Sequence, residues 1–353
     1  MNYRLLLLVL LPLSVRAEIY ELPPEGVDVV GSVATVEVGY DDTLIDIARR
    51  HGLGYHDIVR ANPDVNVWLP GEGTRVVLPT QFVLPSGPRK GLVLNLAEYR
   101  MYYYPEPKPG ETAYVMTYPM SIGRMDWETP LGMTSVVAKA VDPAWYPPAS
   151  VHQERIDEGR EPLPRVVPPG PDNPLGTRAM RLGLPGYLIH GTNRPAGVGM
   201  RVTHGCIRMF PEDIEFLFGH VALKTPVRIV NEPVKIGWDG EALVMEAHPV
   251  LENEPDVTRD EPGGEAHVET TVADTEQSDD AQTSPKSALT YVTERFVDAT
   301  RSRQALLDWA RVETLVVAAN GVPMAVGSST GDAQTSLPAS SPLPVSTEEH
   351  ADL

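Results

Sequence analysis

The spacing of apolar residues changes character several times along the chain. Leu44, Ile45, Ile47 and Ala48 recur at helical spacing behind the polar pair Asp42 and Thr43, which predicts an N-capped helix ended by Gly52. A second helix is predicted over residues 55–61, stopped by Asn62 and Pro63. Short alternating runs at 35–38 and 74–78 complete a strand–helix–helix–strand unit spanning residues 35–80. From residue 91 the helical period gives way to β-branched and aromatic runs separated by Pro and Gly. "LVLNLAEYRMYYYP" predicts a hairpin turning at Ala97 and Glu98, and "AYVMTYPMSIG", "GMTSVVAKAV", "GYLIHG" and "TPVRIV" predict further strands. "FPEDIEFLF" predicts a helix, with Pro211 in its first turn and Glu212 and Asp213 at its positive end. Many short strands and few helices make residues 89–231 a mainly β domain, a sandwich or barrel.

Beyond residue 231 the pattern is less uniform. Residues 232–250 predict a hairpin about Asp239 and Gly240. Residues 251–290 are acidic and rich in Thr, Ser, Pro and Gly, the composition of a solvated linker. A helix and then a hairpin at Asn320 and Gly321 are expected within residues 291–326, followed by a disordered tail over 327–353.

The N-terminus changes the setting. Arg4 precedes an apolar run from Leu5 to Leu13, and Val15-Arg16-Ala17 forms a small-residue cleavage site, so residues 1–17 read as a secretory signal peptide. The run is shorter than the roughly 20 residues that span a bilayer, which argues against a membrane anchor. No later stretch predicts a span, and a periplasmic location is expected. The net charge of −19 argues against nucleic acid, whose phosphates call for a basic surface.

One cysteine in an exported chain cannot form an internal disulfide, so Cys206 is either an inert core thiol or a reactive one. Its surroundings favour reactivity: "RVTHGCIRMF" places His204 and Gly205 before it and Arg208 after it. His190 ends the apolar strand "YLI", where an imidazole can be held rigidly, and the loop 191–202 can fold the two segments together. A thiolate near neutral pH needs a base or a positive neighbour, which is the logic of acyl transfer by a Cys–His pair. A zinc site would need further ligands at short spacing, and no such run is present, so no metal is expected. A peptidase of the Cys–His hydrolase type is the rival enzyme, but such enzymes usually place cysteine before histidine, the reverse of this order.

Two resemblances sharpen this. Residues 35–80, with "DDTLIDIARRHG" and "ANP", resemble the LysM module, a βααβ unit whose family binds N-acetylglucosamine-containing glycans. "HGTN…VTHGCIRM" is similar to the signature of the L,D-transpeptidase (YkuD-type) catalytic domain, and "MSIGRMDWETPLG", "WYPP" and "EPLPRVVPPGPDNPLG" resemble its periplasmic Gram-negative branch. That resemblance implies a YkuD-type β-sandwich with Cys206 as nucleophile and His190 as general base, oriented by a carbonyl near Gly191. It implies an oxyanion site around Gly205, with His204 and Thr203 shaping the loop; Thr203 stands where many members carry serine. Arg208 either pairs with a stem-peptide carboxylate or braces the loop, and Arg201 is a weaker substrate-binding candidate expected to be exposed. The implied substrate is the tetrapeptide stem of peptidoglycan, with no cofactor. Implied acceptors are the lysine of a murein lipoprotein, preferred, a second diaminopimelate in a 3→3 crosslink, or water. The rival from another class is an inactive peptidoglycan-binding protein.

Overall fold

The computed structural model describes residues 18–124, 127–251 and 286–330. The signal-peptide reading of residues 1–17, most of the acidic linker and the tail from 331 onward lie outside the described residues. In chain order the elements are β1 (Glu18–Glu21), β2 (Val29–Gly31), β3 (Ala34–Glu37), α1 (Leu44–Arg50), α2 (Tyr55–Ala61), β4 (Arg75–Leu78), β5 (Gln81–Val83), β6 (Gly91–Asn95), β7 (Arg100–Tyr104) and β8 (Tyr114–Pro119). There follow β9 (Ile122–Gly123), β10 (Gly132–Val141), α3 (Ala149–Asp157), β11 (Arg178–Leu182), β12 (Leu188–His190), β13 (Arg201–Thr203), β14 (Ile207–Arg208), α4 (Pro211–His220) and β15 (Pro226–Val230). The last elements of the described residues are β16 (Val234–Asp239), β17 (Ala242–Ala247), α5 (Ala288–Ala299), β18 (Ala305–Leu307), α6 (Trp309–Ala318) and β19 (Met324–Ser329).

The fold is mainly β. Its centre is a nine-stranded sheet in the order β1-β8-β7-β6-β15-β10-β11-β12-β14. One core gathers Leu92, Leu94, Met101 and Met116 from one half of this sheet with Met180, Leu182, Ile189 and Ile207 from the other. The sheet must therefore curl so that its halves face each other, the sandwich expected of the sequence, with Ile214 and Leu217 of α4 packed into the same core. Alternate residues of the same strands, Val93, Tyr102, Tyr104 and Val115, point to the opposite face. There they meet Leu44, Ile47, Leu53 and Ile58 of the two-helix unit in a second core. Every residue of β6 and β7 is consequently buried.

The unit at 34–78 is the strand–helix–helix–strand that the pattern predicts, with β3 and β4 antiparallel. Thr43 caps α1 in a capping box: its Oγ1 accepts from the Asp46 N–H at 3.1 Å, and its own N–H donates to Asp46 Oδ2 at 3.2 Å. Buried Asn62 closes the unit, donating to the Ile58 and Val77 carbonyls, both at 2.8 Å, and accepting from the Val77 N–H at 2.7 Å.

The C-terminal region departs from expectation. The predicted hairpin at Asn320 and Gly321 is absent: residues 309–318 are helix α6, and β19 pairs with β17 and β18. The β-branched residues Thr314, Val316 and Val317 precede that turn within the helix. Asp308 overrides them by accepting from the Ala310 N–H at 3.1 Å, and Val312 and Leu315 bury one helical face. The 232–250 hairpin and the 291–326 segment thus share one four-stranded sheet, β16-β17-β19-β18, extending into the expected tail as far as Ser329.

A buried polar cluster joins this sheet to the central one. Lys235 Nζ lies 2.9 Å from Glu98 Oε2, 2.9 Å from Glu246 Oε1 and 3.0 Å from the Tyr102 hydroxyl. Burial works against the Glu98 carboxylate, but Lys235, His248 and Arg100 hold it ionised below the usual range. Glu98, Glu246 and His248 are close enough to share a metal ion, but the Lys235 ammonium already supplies the cation there.

Asp213, buried in the first turn of α4, has its carboxyl pushed up to about 8 by burial and then by the Glu212 charge. The folded chain keeps this proton up to about pH 8, whereas the unfolded chain releases it near the ordinary value of 3.8. Asp213 therefore subtracts stability as pH rises between those values. Asp213→Asn should raise the thermal unfolding midpoint relative to wild type more at pH 8 than at pH 4; an equal difference at both would refute the assignment.

Candidate active site

The site forms where β12 and β14 run parallel. Ile189 lies opposite Ile207 and His190 opposite Arg208, which sets Cys206, immediately before β14, beside Leu188 on the neighbouring strand. His190 and Cys206 thus sit one diagonal step apart on adjacent strands, although the loop 191–200 and β13 separate them in sequence. Glycine occupies position 205 because φ there is +92° and an added Cβ would approach Tyr187 Cε1 to 2.9 Å.

His190 is buried. Its Nδ1 donates to the Gly191 carbonyl at 2.6 Å, which places the ring proton on Nδ1 and leaves Nε2 as the acceptor. Burial, reinforced by the Arg208 charge, holds the imidazole down to about 3 against the opposing pull of Gly191. The Cys206 thiol lies 3.6 Å from the Gly186 carbonyl. Burial pushes it above its ordinary value, and a backbone hydrogen bond from Leu188 and the Arg208 charge only partly offset this. At neutral pH the two groups therefore rest as thiol and neutral imidazole.

Hydroxyl–carbonyl contacts shape the cysteine turn. Thr203 Oγ1 donates to the Cys206 carbonyl at 2.6 Å, and Thr129 Oγ1 donates to the Gly205 carbonyl at 2.9 Å. His204 points to Glu154 of α3 through Nε2, and its ring meets Trp127 edge-on at 5.3 Å. Glu154 also accepts from Arg124 Nη2 at 2.7 Å. Burial opposes the Glu154 charge, but His204 and Arg124 together draw its carboxyl down to about 2. Ser121 exchanges backbone hydrogen bonds with Arg208, at 2.8 and 3.1 Å.

Of the predicted residues, His190, Gly191, Thr203, His204, Gly205, Cys206 and Arg208 come together. Arg208 is half-buried, with its guanidinium beside the turn at Gly197. Arg201 is the correction: expected to be exposed, it is 4% accessible, donating to the Gly123 carbonyl at 3.2 Å and the Leu251 carbonyl at 2.8 Å. It braces the sheet behind the site, because a buried guanidinium needs acceptors and these backbone oxygens supply them. Sequence reasoning missed Glu154, Arg124, Trp127, Thr129 and Tyr187. All but Glu154 and Tyr187 fall in "MSIGRMDWETPLG", so that stretch carried a signal for them; Glu154 had none.

Residues 89–229 match the YkuD family, described as the L,D-transpeptidase catalytic domain. The protein named "Probable L,D-transpeptidase ErfK/SrfK" of Salmonella typhimurium is 41% identical over 246 residues, 68% of this chain and 78% of the relative. "Probable L,D-transpeptidase YcfS" of Escherichia coli is 40% identical over 254 residues, covering 70% of this chain and 78% of the relative. "Probable L,D-transpeptidase YbiS" of Escherichia coli is 42% identical over 225 residues, covering 63% and 72%. The chain belongs to the L,D-transpeptidase (YkuD) family and is an enzyme of that class.

The rest state has a measurable consequence. Alkylation of Cys206 by iodoacetamide should accelerate with pH into the alkaline range, since burial raises the thiol and the thiolate is the nucleophile. A rate already at its plateau near pH 6 would instead show a preformed thiolate–imidazolium pair.

Proposed function

We propose that Cys206 attacks the carbonyl of the third residue of a peptidoglycan tetrapeptide stem, with His190 as its base. The observation that carries this reading is the His190 Nδ1 bond to the Gly191 carbonyl, which turns Nε2 into the proton acceptor on the strand beside Cys206. Because thiol and imidazole rest neutral, proton transfer accompanies attack rather than preceding it. Sγ bonds to the carbonyl carbon while Nε2 takes the thiol proton. Backbone N–H groups around Gly205 and Cys206 hold the tetrahedral oxyanion, commonly a large term in acyl transfer. The C–N bond to the terminal D-alanine then breaks, and His190 returns the proton to the departing amine. An amine attacks the resulting thioester as His190 takes its proton, the C–S bond breaks, and His190 passes that proton to the departing sulfur to restore the thiol. No cofactor enters these steps.

The acceptor we infer is the lysine amine of a murein lipoprotein, on the resemblance of residues 89–231 to the branch that includes lipoprotein-attaching enzymes. Substrate recognition falls to Arg208, whose charge lies at the site. The βααβ unit is read as a glycan anchor, supported by aromatic side chains exposed beside its helices: Tyr40 is 82% and Trp68 52% accessible, and such rings stack on sugars. Periplasmic action follows from the signal-peptide reading. Among the described residues, no helix is long and apolar enough to cross a membrane.

Purified protein incubated with tetrapeptide-bearing peptidoglycan should release D-alanine and, with a murein lipoprotein present, form the lipoprotein-linked muropeptide. Crosslinked dimers or trimmed tripeptides in its place would reassign the acceptor. Cys206→Ala should abolish the acyl-enzyme seen by mass spectrometry, and His190→Ala should lower turnover by at least about 100-fold. Undiminished D-alanine release by either variant would refute the assignment.

A further inference from the structure

The loop 191–200 links His190 to the strand before Cys206, and it is gripped from two sides. The segment after β8 holds one side: Ser121 Oγ donates to the Gly197 carbonyl at 2.7 Å, and the Ile122 N–H of β9 donates to the Met200 carbonyl at 3.2 Å. The other side is held by the βααβ unit. The Tyr55 N–H donates to the Val198 carbonyl at 2.9 Å, and the His56 N–H to the Gly199 carbonyl at 3.4 Å. Here two glycines meet backbone to backbone. A Cβ on Gly54 would lie 2.7 Å from Gly199 Cα, and one on Gly199 would lie 2.4 Å from the Tyr55 nitrogen. Gly54 has φ −90° and ψ 175°, a conformation open to any residue, so its lack of a side chain serves the close approach and not the backbone.

We propose that the N-terminus of α2 positions the active-site loop, so that Gly54 and Tyr55 of the βααβ unit are positioning residues for the transpeptidase reaction itself. The first N–H groups of a helix have no partner within it and must find acceptors elsewhere. At α2 they find the catalytic loop. The helix end is itself fixed, because the Gly54 N–H donates to Asp57 Oδ2 at 2.8 Å and the same oxygen accepts from Arg100 Nη2 at 2.7 Å. Arg100 is buried in β7, so the grip refers the loop to the central sheet through the helix. A displacement near 1 Å at such a loop can cost about 100-fold in rate, since reacting groups must be aligned before attack. The unit therefore acts on chemistry as well as on attachment to glycan.

The proposal rests on the L,D-transpeptidase reading, and its test separates the two. The substrate is a soluble tetrapeptide stem without sugar, which removes any contribution from glycan binding. Gly54→Ala adds one methyl group against Gly199. Tyr55→Pro removes the N–H that reaches Val198 at a helix position where proline is tolerated, after a residue already extended. Gly219→Ala, with no atom near its new Cβ, is the control. For both variants we expect kcat for D-alanine release to fall at least about tenfold with KM changed less than about twofold. Hydrogen exchange should quicken in residues 191–200, the iodoacetamide rate of Cys206 should change, and the unfolding midpoint should stay near that of the control. A folded variant with unchanged kcat and unchanged Cys206 alkylation would overturn the proposal. So would loss of folding in both variants, which would make the contact a stability element only. If wild type releases no D-alanine, the reaction reading fails, and altered Cys206 alkylation and loop exchange still decide the positioning role.

Discussion

A single carboxylate oxygen, Oδ2 of Asp57, ties the parts of this enzyme together. It caps α2 through the Gly54 N–H and receives the guanidinium of Arg100 from the middle of the central sheet. Arg100 is fully buried, stacks 4.2 Å above the Phe82 ring and donates also to the Gly52 carbonyl and Thr117. Burying such a charge is costly, and removing one partner from a buried pair typically destabilises by about 3–5 kcal/mol. The βααβ unit is therefore fastened to the sheet by an interaction that tolerates little alternative geometry. Arg49 adds a second fastening, bidentate to Glu212 at 2.7 Å on α4, directly after the cysteine strand.

Much of this was legible in the sequence. The βααβ unit, the hairpins at Ala97 and Asp239 and helix α4 follow from apolar spacing and turn residues. The meeting of His190 with Cys206 follows from a strand-ending histidine, a glycine-rich loop and a solitary thiol. What was not legible depends on contacts distant in sequence. Arg201 reads as a surface residue because nothing local shows that Gly123 and Leu251 will present carbonyls to it. Glu154 lies in α3, a helix with only Val151 buried and hence almost no apolar period to reveal it. Asn320 and Gly321 read as a hairpin turn from their residue types, whereas burial of Val312 and Leu315 makes the preceding residues helical.

The run "LVLNL" gave a clue of another kind. Strands with one solvated face alternate apolar and polar residues, whereas a continuous apolar run belongs to a strand covered on both faces. β6 obeys this rule, with Leu92 and Leu94 in the core under α4 and Val93 against the βααβ unit. The sheet therefore requires a cover at the position that the unit fills.

Detaching that unit would expose Val93, Tyr102, Tyr104 and Val115 and leave Arg100 without Asp57, so it cannot swing as a bead on a tether. If the edge bearing Tyr40 and Trp68 carries glycan, the direction from the bound sugar to Cys206 is fixed by the sheet. A flexible anchor only raises local substrate concentration. A rigid one also selects which stem along the glycan strand reaches the thiol, and from which side. The same rigidity lets a small unit brace the loop beside His190, because a brace must itself be immobile. If both roles hold, anchoring and alignment follow from one packed interface.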